Sequence, residues 1–395
     1  MLNVTRLLCD IAQPMDALRY GRGADAPSSA RERKPVVVWN VSRTCNLRCL
    51  HCYSDSNARA YPGELTFEQG KALLEDLAAF GVPAVLLSGG EPLARGDILA
   101  LATYGRTLGL KFTLSTNGTL INRKTAERIR EIGFAYVGIS LDGIGTTNDL
   151  FRGMPGAFHR AVRGMRNCRE VGQKVGLRLT LTAQTVDDLE AIFDFIDTEK
   201  IERACFYHLV PTGRGRQAEG LAPERTRQAM ETIFRRTREF AERGDPREIL
   251  TVDNHADAAY LYLSLEASQP QAAARAYDLL SWNGGAKNSS GIGIADIDTQ
   301  GNVHPDQFFQ SVTLGNVKDR PFSELWSEPG DPMVLQLRDQ TSHVTGRCSG
   351  CRFLPICGGG FRARAYNATG DLWASDPGCY LSDAEIASDA EIALR

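Results

Sequence analysis

The amino-terminal stretch MLNVTRLLCDIAQPMDALRYGRG lacks an uninterrupted apolar run, because Arg6, Asp10 and Asp16 break it. That excludes the continuous hydrophobic segment of a secretion signal or a membrane span. Blocks of like charge are missing as well. The 45 basic side chains against 48 acidic ones leave a formal net charge of -3, which argues against nucleic acid as a partner. There is no fixed-period repeat and no low-complexity tract. We therefore expect a cytoplasmic protein with no membrane and no nucleic-acid partner.

Cysteine, by contrast, is plentiful. Ten of them in a reducing compartment point to metal rather than to disulfides. Cys45, Cys49 and Cys52 form one group and Cys348, Cys351, Cys357 and Cys379 another, while Cys9, Cys168 and Cys205 are scattered and read as small buried hydrophobes.

A chain of 395 residues fits one large α/β barrel or two domains, at roughly 150 residues per domain. Residues 1–34, which include the Gly-, Ser-, Arg- and Pro-rich GRGADAPSSARERKP, read as a flexible lead-in. Apolar, β-branched runs then recur at 36–42, 84–88, 111–116, 136–141, 177–182 and 205–210. Amphipathic stretches lie between them, at Thr66–Phe80, Lys124–Ile132, Phe158–Val171 and Val186–Thr198. Buried strands alternating with helices imply an α/β fold with a parallel sheet and right-handed crossovers, here a partial (β/α)6 barrel over 35–215. The active site should lie at the strands' carboxyl ends. Beyond it we expect a helical linker over 216–285, with helices at Pro223–Arg243 and on to about Leu280. A smaller α+β domain over 286–395 follows, in which IGIADIDTQGNVHPDQFF forms two strands around a turn.

The segment CNLRCLHCY directly follows the first strand and puts three thiolates on one loop. A 4Fe-4S cluster normally takes four, so this loop would leave one iron open to a small ligand. Zinc is the alternative; it would want a fourth ligand, and His51 is awkwardly placed between Cys49 and Cys52. Ser88-Gly89-Gly90-Glu91-Pro92, Ser115-Thr116-Asn117-Gly118 and Ser140-Leu141-Asp142-Gly143 end the next three strands. Each alone could be a simple turn.

CxxxCxxC followed by GGEP resembles the radical S-adenosylmethionine (SAM) superfamily. The resemblance implies a 4Fe-4S cluster on Cys45, Cys49 and Cys52 with SAM on its open iron, cleaved to a 5'-deoxyadenosyl radical. It further implies that Gly89 and Gly90 allow close backbone approach and that Glu91 takes the SAM ammonium. Ser115, Asn117, Ser140 and Asp142 would serve the ribose hydroxyls and methionine end, and Arg152 the SAM carboxylate.

Cys348, Cys351, Cys357 and Cys379 resemble the auxiliary-cluster extension called SPASM, specifically its second cluster. A fuller extension would carry further cysteines near Asp306 and at Phe361, so one auxiliary 4Fe-4S cluster is expected, two clusters in all. A structural zinc knot is the alternative. VLLSGGEPL, GISLDGI, TVDNHAD, GNVHPDQFF and CRFLPICGG extend the resemblance over nearly the whole chain, to the radical SAM group of heme d1 biosynthesis. This implies a tetrapyrrole substrate, the siroheme derivative 12,18-didecarboxysiroheme, attacked on its propionates, and a low-potential donor such as ferredoxin or flavodoxin. Arg214, Arg216, Arg362 and Arg364 would meet its carboxylates. His208 would handle a proton or the iron, with His255 and His304 as neighbours. The alternatives are a siroheme-pathway heme enzyme removing acetate carboxyls, a peptide-modifying SPASM maturase, and an iron-sulfur electron carrier.

Overall fold

In a computed structural model of the chain, residues 1–13, 16–20, 34–283 and 289–387 are described. The strands are β1 (Leu2–Asn3), β2 (Val36–Ser42), β3 (Val85–Gly89), β4 (Phe112–Thr116), β5 (Tyr136–Ser140), β6 (Val175–Leu181), β7 (Arg203–His208), β8 (Glu248–Val252), β9 (Ile294–Ile297), β10 (Asn302–His304) and β11 (Gly315–Asn316). They make one sheet in the order β1-β8-β7-β6-β5-β4-β3-β2-β9-β10-β11. The run from β8 to β9 is parallel throughout, and β1, β10 and β11 pair antiparallel at its two ends. This is a mixed α/β sheet with the six anticipated strands as its core. Helices return the chain between them, because the strands are buried and need covering on the outer face. Thr66 starts the first such helix, Phe67–Phe80, with a capping box to Gln69, and left-handed Gly81 ends it.

Three expectations need correction. Residues 2–9 are not a loose lead-in. Leu2 and Asn3 pair with Thr251 and Leu250, the helix Val4–Cys9 buries Val4, Leu7 and Leu8, and Asn3 Nδ2 donates to Asp16 Oδ1 at 2.7 Å. Of the charges that interrupt the apolar pattern, Asp16 is buried and pairs with Arg19 at 3.2 Å, which also meets Glu248 at 2.8 Å, while Arg6 pairs with the exposed Asp10. The glycine-rich part of that stretch, residues 21–33, lies outside the described residues. The helical linker is also more than helices. Pro223–Glu242, Ala256–Glu266 and Pro270–Trp282 are helical, but β8 lies between the first two and extends the parallel sheet beside β7. Finally, β9 pairs in parallel with β2, so the carboxyl-terminal hairpin continues the barrel sheet instead of starting a separate one. Beyond it, the cysteine-bearing segment consists of short helices such as Leu354–Cys357 and Arg362–Thr369.

Two connections also carry helices the pattern did not announce, Ile98–Thr107 and Thr146–Arg152. The second brings Arg152 under the cysteine loop, with Phe151 O and Arg152 O accepting from Leu50 N and Arg48 N at 2.9 and 3.2 Å. Among the described residues no helix is long and apolar enough to cross a membrane.

Candidate active site

β2 delivers the chain to the cysteine loop at the carboxyl edge of the sheet. Cys45, Cys49 and Cys52 all line one inner cavity of about 1070 Å³, its open mouth included. Polar groups surround the three sulfurs. Leu47 N donates to Cys45 Sγ at 3.4 Å, Arg152 Nη1 lies 3.6 Å from Cys49 Sγ, and Ser56 N donates to Cys52 Sγ at 3.4 Å. Such donors favour thiolate over thiol. Against them, burial pushes the Cys45 thiol up to about 12 and raises Cys49 as well, so these sulfurs become thiolates when a metal centre takes the proton's place. Donors at each sulfur, set around a cavity, fit an iron-sulfur cube. Among the described residues no three His, Cys, Asp or Glu side chains converge on a point where a single ion would sit.

The loop is held from below by Arg214, whose Nε donates to Cys49 O at 2.9 Å and whose Nη1 reaches Ser56 O at 2.9 Å and Asp55 Oδ1 at 2.7 Å. Arg214, expected as a substrate contact, clamps the cysteine loop with Nε and Nη1 while it also lines the cavity.

Gly89, Gly90, Ser115, Asn117, Ser140 and Arg152 line the inner cavity, as the strand-end motifs anticipate. Gly90 is needed for a close approach, since a Cβ there would lie 2.5 Å from Thr44 O. Two residues do not reach the cavity. Glu91 is fully buried and spends its carboxylate on Thr116 Oγ1 at 2.7 Å, Asn117 N at 2.8 Å and Leu93 N at 3.1 Å. Placed there it fixes the Asn117 loop. Asp142, also fully buried, accepts from Thr180 N at 2.7 Å and pairs with Arg152. The Arg152 guanidinium is therefore already balanced by Asp142 beside Cys49. His51 stacks on Phe151 at 4.7 Å between ring centroids, and burial pushes it down to about 4, so the imidazole is neutral.

His208 ends β7 at the cavity wall, and its Nε2 lies 3.0 Å from Asp257 Oδ2. Asp257 Oδ1 accepts from Tyr380 OH at 2.9 Å, beside Cys379. Asp257, Tyr380, Asp253, Tyr207 and Arg178 escaped the sequence reading. The last left a signal: a basic residue in the middle of the apolar run LRLTLT.

Cys348, Cys351, Cys357 and Cys379 line a second cavity of about 420 Å³. Cys379 is brought back over its long connection by Arg364, which holds Asp376 through two contacts of 2.8 Å, and by Asn254 Nδ2 donating to Gly378 O at 2.8 Å. Arg347 Nη1 lies 3.3 Å from Cys379 Sγ and Phe353 N donates to Cys351 Sγ at 3.4 Å. Arg362 and Arg364, anticipated as substrate contacts, are interior struts instead. Arg362 is 1% exposed and donates to Leu372 O and Ala374 O at 2.9 and 2.8 Å. His255 is buried against Phe361 and pushed down to about 3. Asp306 accepts from Phe308 N at 2.7 Å and Phe361 packs on Phe308, so both positions serve the interior.

An outer cleft of about 1800 Å³, its open mouth included, adjoins the inner cavity, sharing Tyr53, Arg214 and Phe308 with it. Arg43, Arg216 and His304 line it.

Comparison with known proteins agrees with this geometry. Residues 39–196 match the family model of the Radical SAM superfamily. The chain is 48% identical over 396 residues to Fe-coproporphyrin III synthase of Methanosarcina barkeri, covering 98% of this chain and 99% of that protein. It is 48% identical over 364 residues to pre-heme d1 synthase of Dinoroseobacter shibae, covering 91% and 89%. The fold resembles that of Streptococcus suis SuiB bound to S-adenosylmethionine, with a TM-score of 0.69 at 22% identity, covering 88% of this chain and 77% of that one. A cysteine loop closed around an open cavity, the glycine-rich strand ends beside it and these matches agree, and the chain belongs to the radical SAM superfamily, a family of enzymes built around a 4Fe-4S cluster and SAM.

Proposed function

We propose that this enzyme works in tetrapyrrole biosynthesis, acting on the propionate side chains of 12,18-didecarboxysiroheme on the route to heme d1. The observation that carries the reading is the adjacency of two spaces: the cavity lined by Cys45, Cys49 and Cys52 shares the wall residues Tyr53, Arg214 and Phe308 with an outer cleft of about 1800 Å³, its open mouth included, which supports a substrate of macrocycle size. The 48% identity to a pre-heme d1 synthase supports the substrate class.

When bound on the three cysteines, a 4Fe-4S cluster with SAM would supply a 5'-deoxyadenosyl radical able to abstract hydrogen from an unactivated carbon. The chain's own residues prepare the place for it. Gly89 and Gly90 bring backbone to the cavity wall, Ser115, Asn117 and Ser140 offer hydrogen-bonding groups, and the Asp142–Arg152 pair sets the charge beside Cys49. His208, held by Asp257, can take or give a proton at the cavity wall. Cys348, Cys351, Cys357 and Cys379 would hold a second 4Fe-4S cluster. A third space, about 770 Å³, has His208 and Cys379 in its walls and supports electron exchange between substrate and that centre. A low-potential carrier such as ferredoxin or flavodoxin would supply the electron, in the cytoplasm.

A second reading, removal of acetate-derived carboxyls from the same macrocycle, is favoured by the match to Fe-coproporphyrin III synthase across 98% of the chain. One assay separates them. Anaerobic incubation with 12,18-didecarboxysiroheme, SAM and a low-potential reductant should yield 5'-deoxyadenosine and a macrocycle that has lost propionate carbon. Loss of acetate carbon alone would establish the second reading, and an unchanged macrocycle mass would overturn both. Cys49→Ala should abolish deoxyadenosine formation.

A further inference from the structure

Along β6 the odd-numbered residues Leu177, Leu179 and Leu181 are buried against the covering helices, while Arg178 and Thr180 face the inner cavity. Arg178 stands level with Ser140 on β5 and Cys205 on β7. Its guanidinium lies over the Tyr207 ring, 4.7 Å from the centroid. Among the described residues its side chain forms no ion pair and no hydrogen bond, unlike the two other arginines of this cavity, Arg152 and Arg214, which are held by Asp142 and Asp55. Asp253 lines the same cavity without pairing with it, and burial pushes that carboxyl up to about 6.

Room for this side chain is made by a neighbour. A Cβ on Gly138, which sits beside Arg178 on β5, would lie 2.7 Å from Arg178 Cδ. An arginine accommodated in a barrel interior yet left without an anion is an unfinished contact, because a half-buried charge is costly until it is paired. The guanidinium fork matches a carboxylate in two parallel hydrogen bonds.

We propose that Arg178 is the receptor for a substrate carboxylate, drawing one acid side chain to the cavity floor and selecting carboxylated over neutral side chains. This rests on the reading that the substrate is a carboxylated tetrapyrrole.

Absorbance titration of the anaerobically reconstituted full chain tests it, with iron coproporphyrin III and its tetramethyl ester as probes. The wild-type protein should prefer the acid to the ester, and Arg178→Gln should shrink that preference about tenfold or more, leaving ester affinity unchanged. Arg178→Lys, which keeps the charge and loses the fork, should fall between; it carries the test if the glutamine variant fails to fold. An undiminished preference in both variants overturns the assignment. So does a loss of SAM affinity with the acid preference intact, which would make Arg178 a cofactor contact. Equal wild-type binding of acid and ester overturns the role of Arg178 and leaves the macrocycle reading standing, whereas binding of neither probe removes both.

Discussion

Glu91 shows how a motif residue can matter through the contacts it makes within the protein. Its two oxygens collect two backbone N–H groups and the Thr116 hydroxyl in a fully buried site. Replacing it by glutamine would turn one acceptor into a donor facing donors. We expect Glu91→Gln to lose about 1–3 kcal/mol of stability in denaturant unfolding. It should also weaken SAM binding, because Asn117, whose Nδ2 donates to Asn46 Oδ1 at 2.9 Å, loses its anchor. That Cys45, Cys49, Cys52, Gly89, Gly90, Ser115, Asn117 and Ser140 gather on one cavity was legible in the sequence, because each follows or ends a strand of the same parallel sheet. Which way a buried carboxylate turns was not legible: Glu91 and Asp142 sit in the right loops and point into the protein. The arginines failed for a related reason. Arg214 and Arg364 find partners 12 or more residues away in the chain, Asp55 and Asp376, Arg362 is spent on backbone carbonyls such as Leu372 O, and no local pattern announces these partners.

Among the elements, the parallel strands and their helices were readable from apolar runs and amphipathic spacing, and β1 and β8 were not. β1 is two residues long, too short to show a period, and EILTV of β8 begins with a glutamate whose charge is balanced by Arg19 and Arg203. Tertiary partners made strands there. The segment Tyr380–Ile386 is tied to the helix Pro223–Glu242 by Arg227, which meets Glu385 at 2.8 Å and Tyr380 O at 3.2 Å. The Arg227 hydrogen bond holds the Glu385 carboxyl down at about 2, from an ordinary value of 4.5. A carboxylate depressed in the folded state stabilises it above its unfolded value, and that contribution is lost as pH falls through the folded one. The stability difference between wild type and Glu385→Gln should therefore be about 0.5–1 kcal/mol at neutral pH. It should shrink steadily below 4.5 towards 2. A difference that grows on acidification, measured by urea unfolding across that range, would contradict the assignment.

For the molecule as a whole, two cavities ringed by thiols hang from one framework. Anaerobic reconstitution should load about eight irons per chain if both take a 4Fe-4S cube. Cys351→Ala should lower the count to about four and spare reductive cleavage of SAM, while turnover of the macrocycle stops. Iron analysis, with deoxyadenosine measured alongside, checks both halves of this statement.

β2 lies between β3 and β9, with Val36, Val37, Val38 and Trp39 in register against Ile294, Ala295, Asp296 and Ile297. Deleting the gene's 3' portion to isolate the amino-terminal half would unzip that seam and leave a hydrophobic β edge open to any neighbouring copy. Such a fragment should collect in inclusion bodies. To silence one centre and keep the other, single-codon changes should succeed where amputation does not.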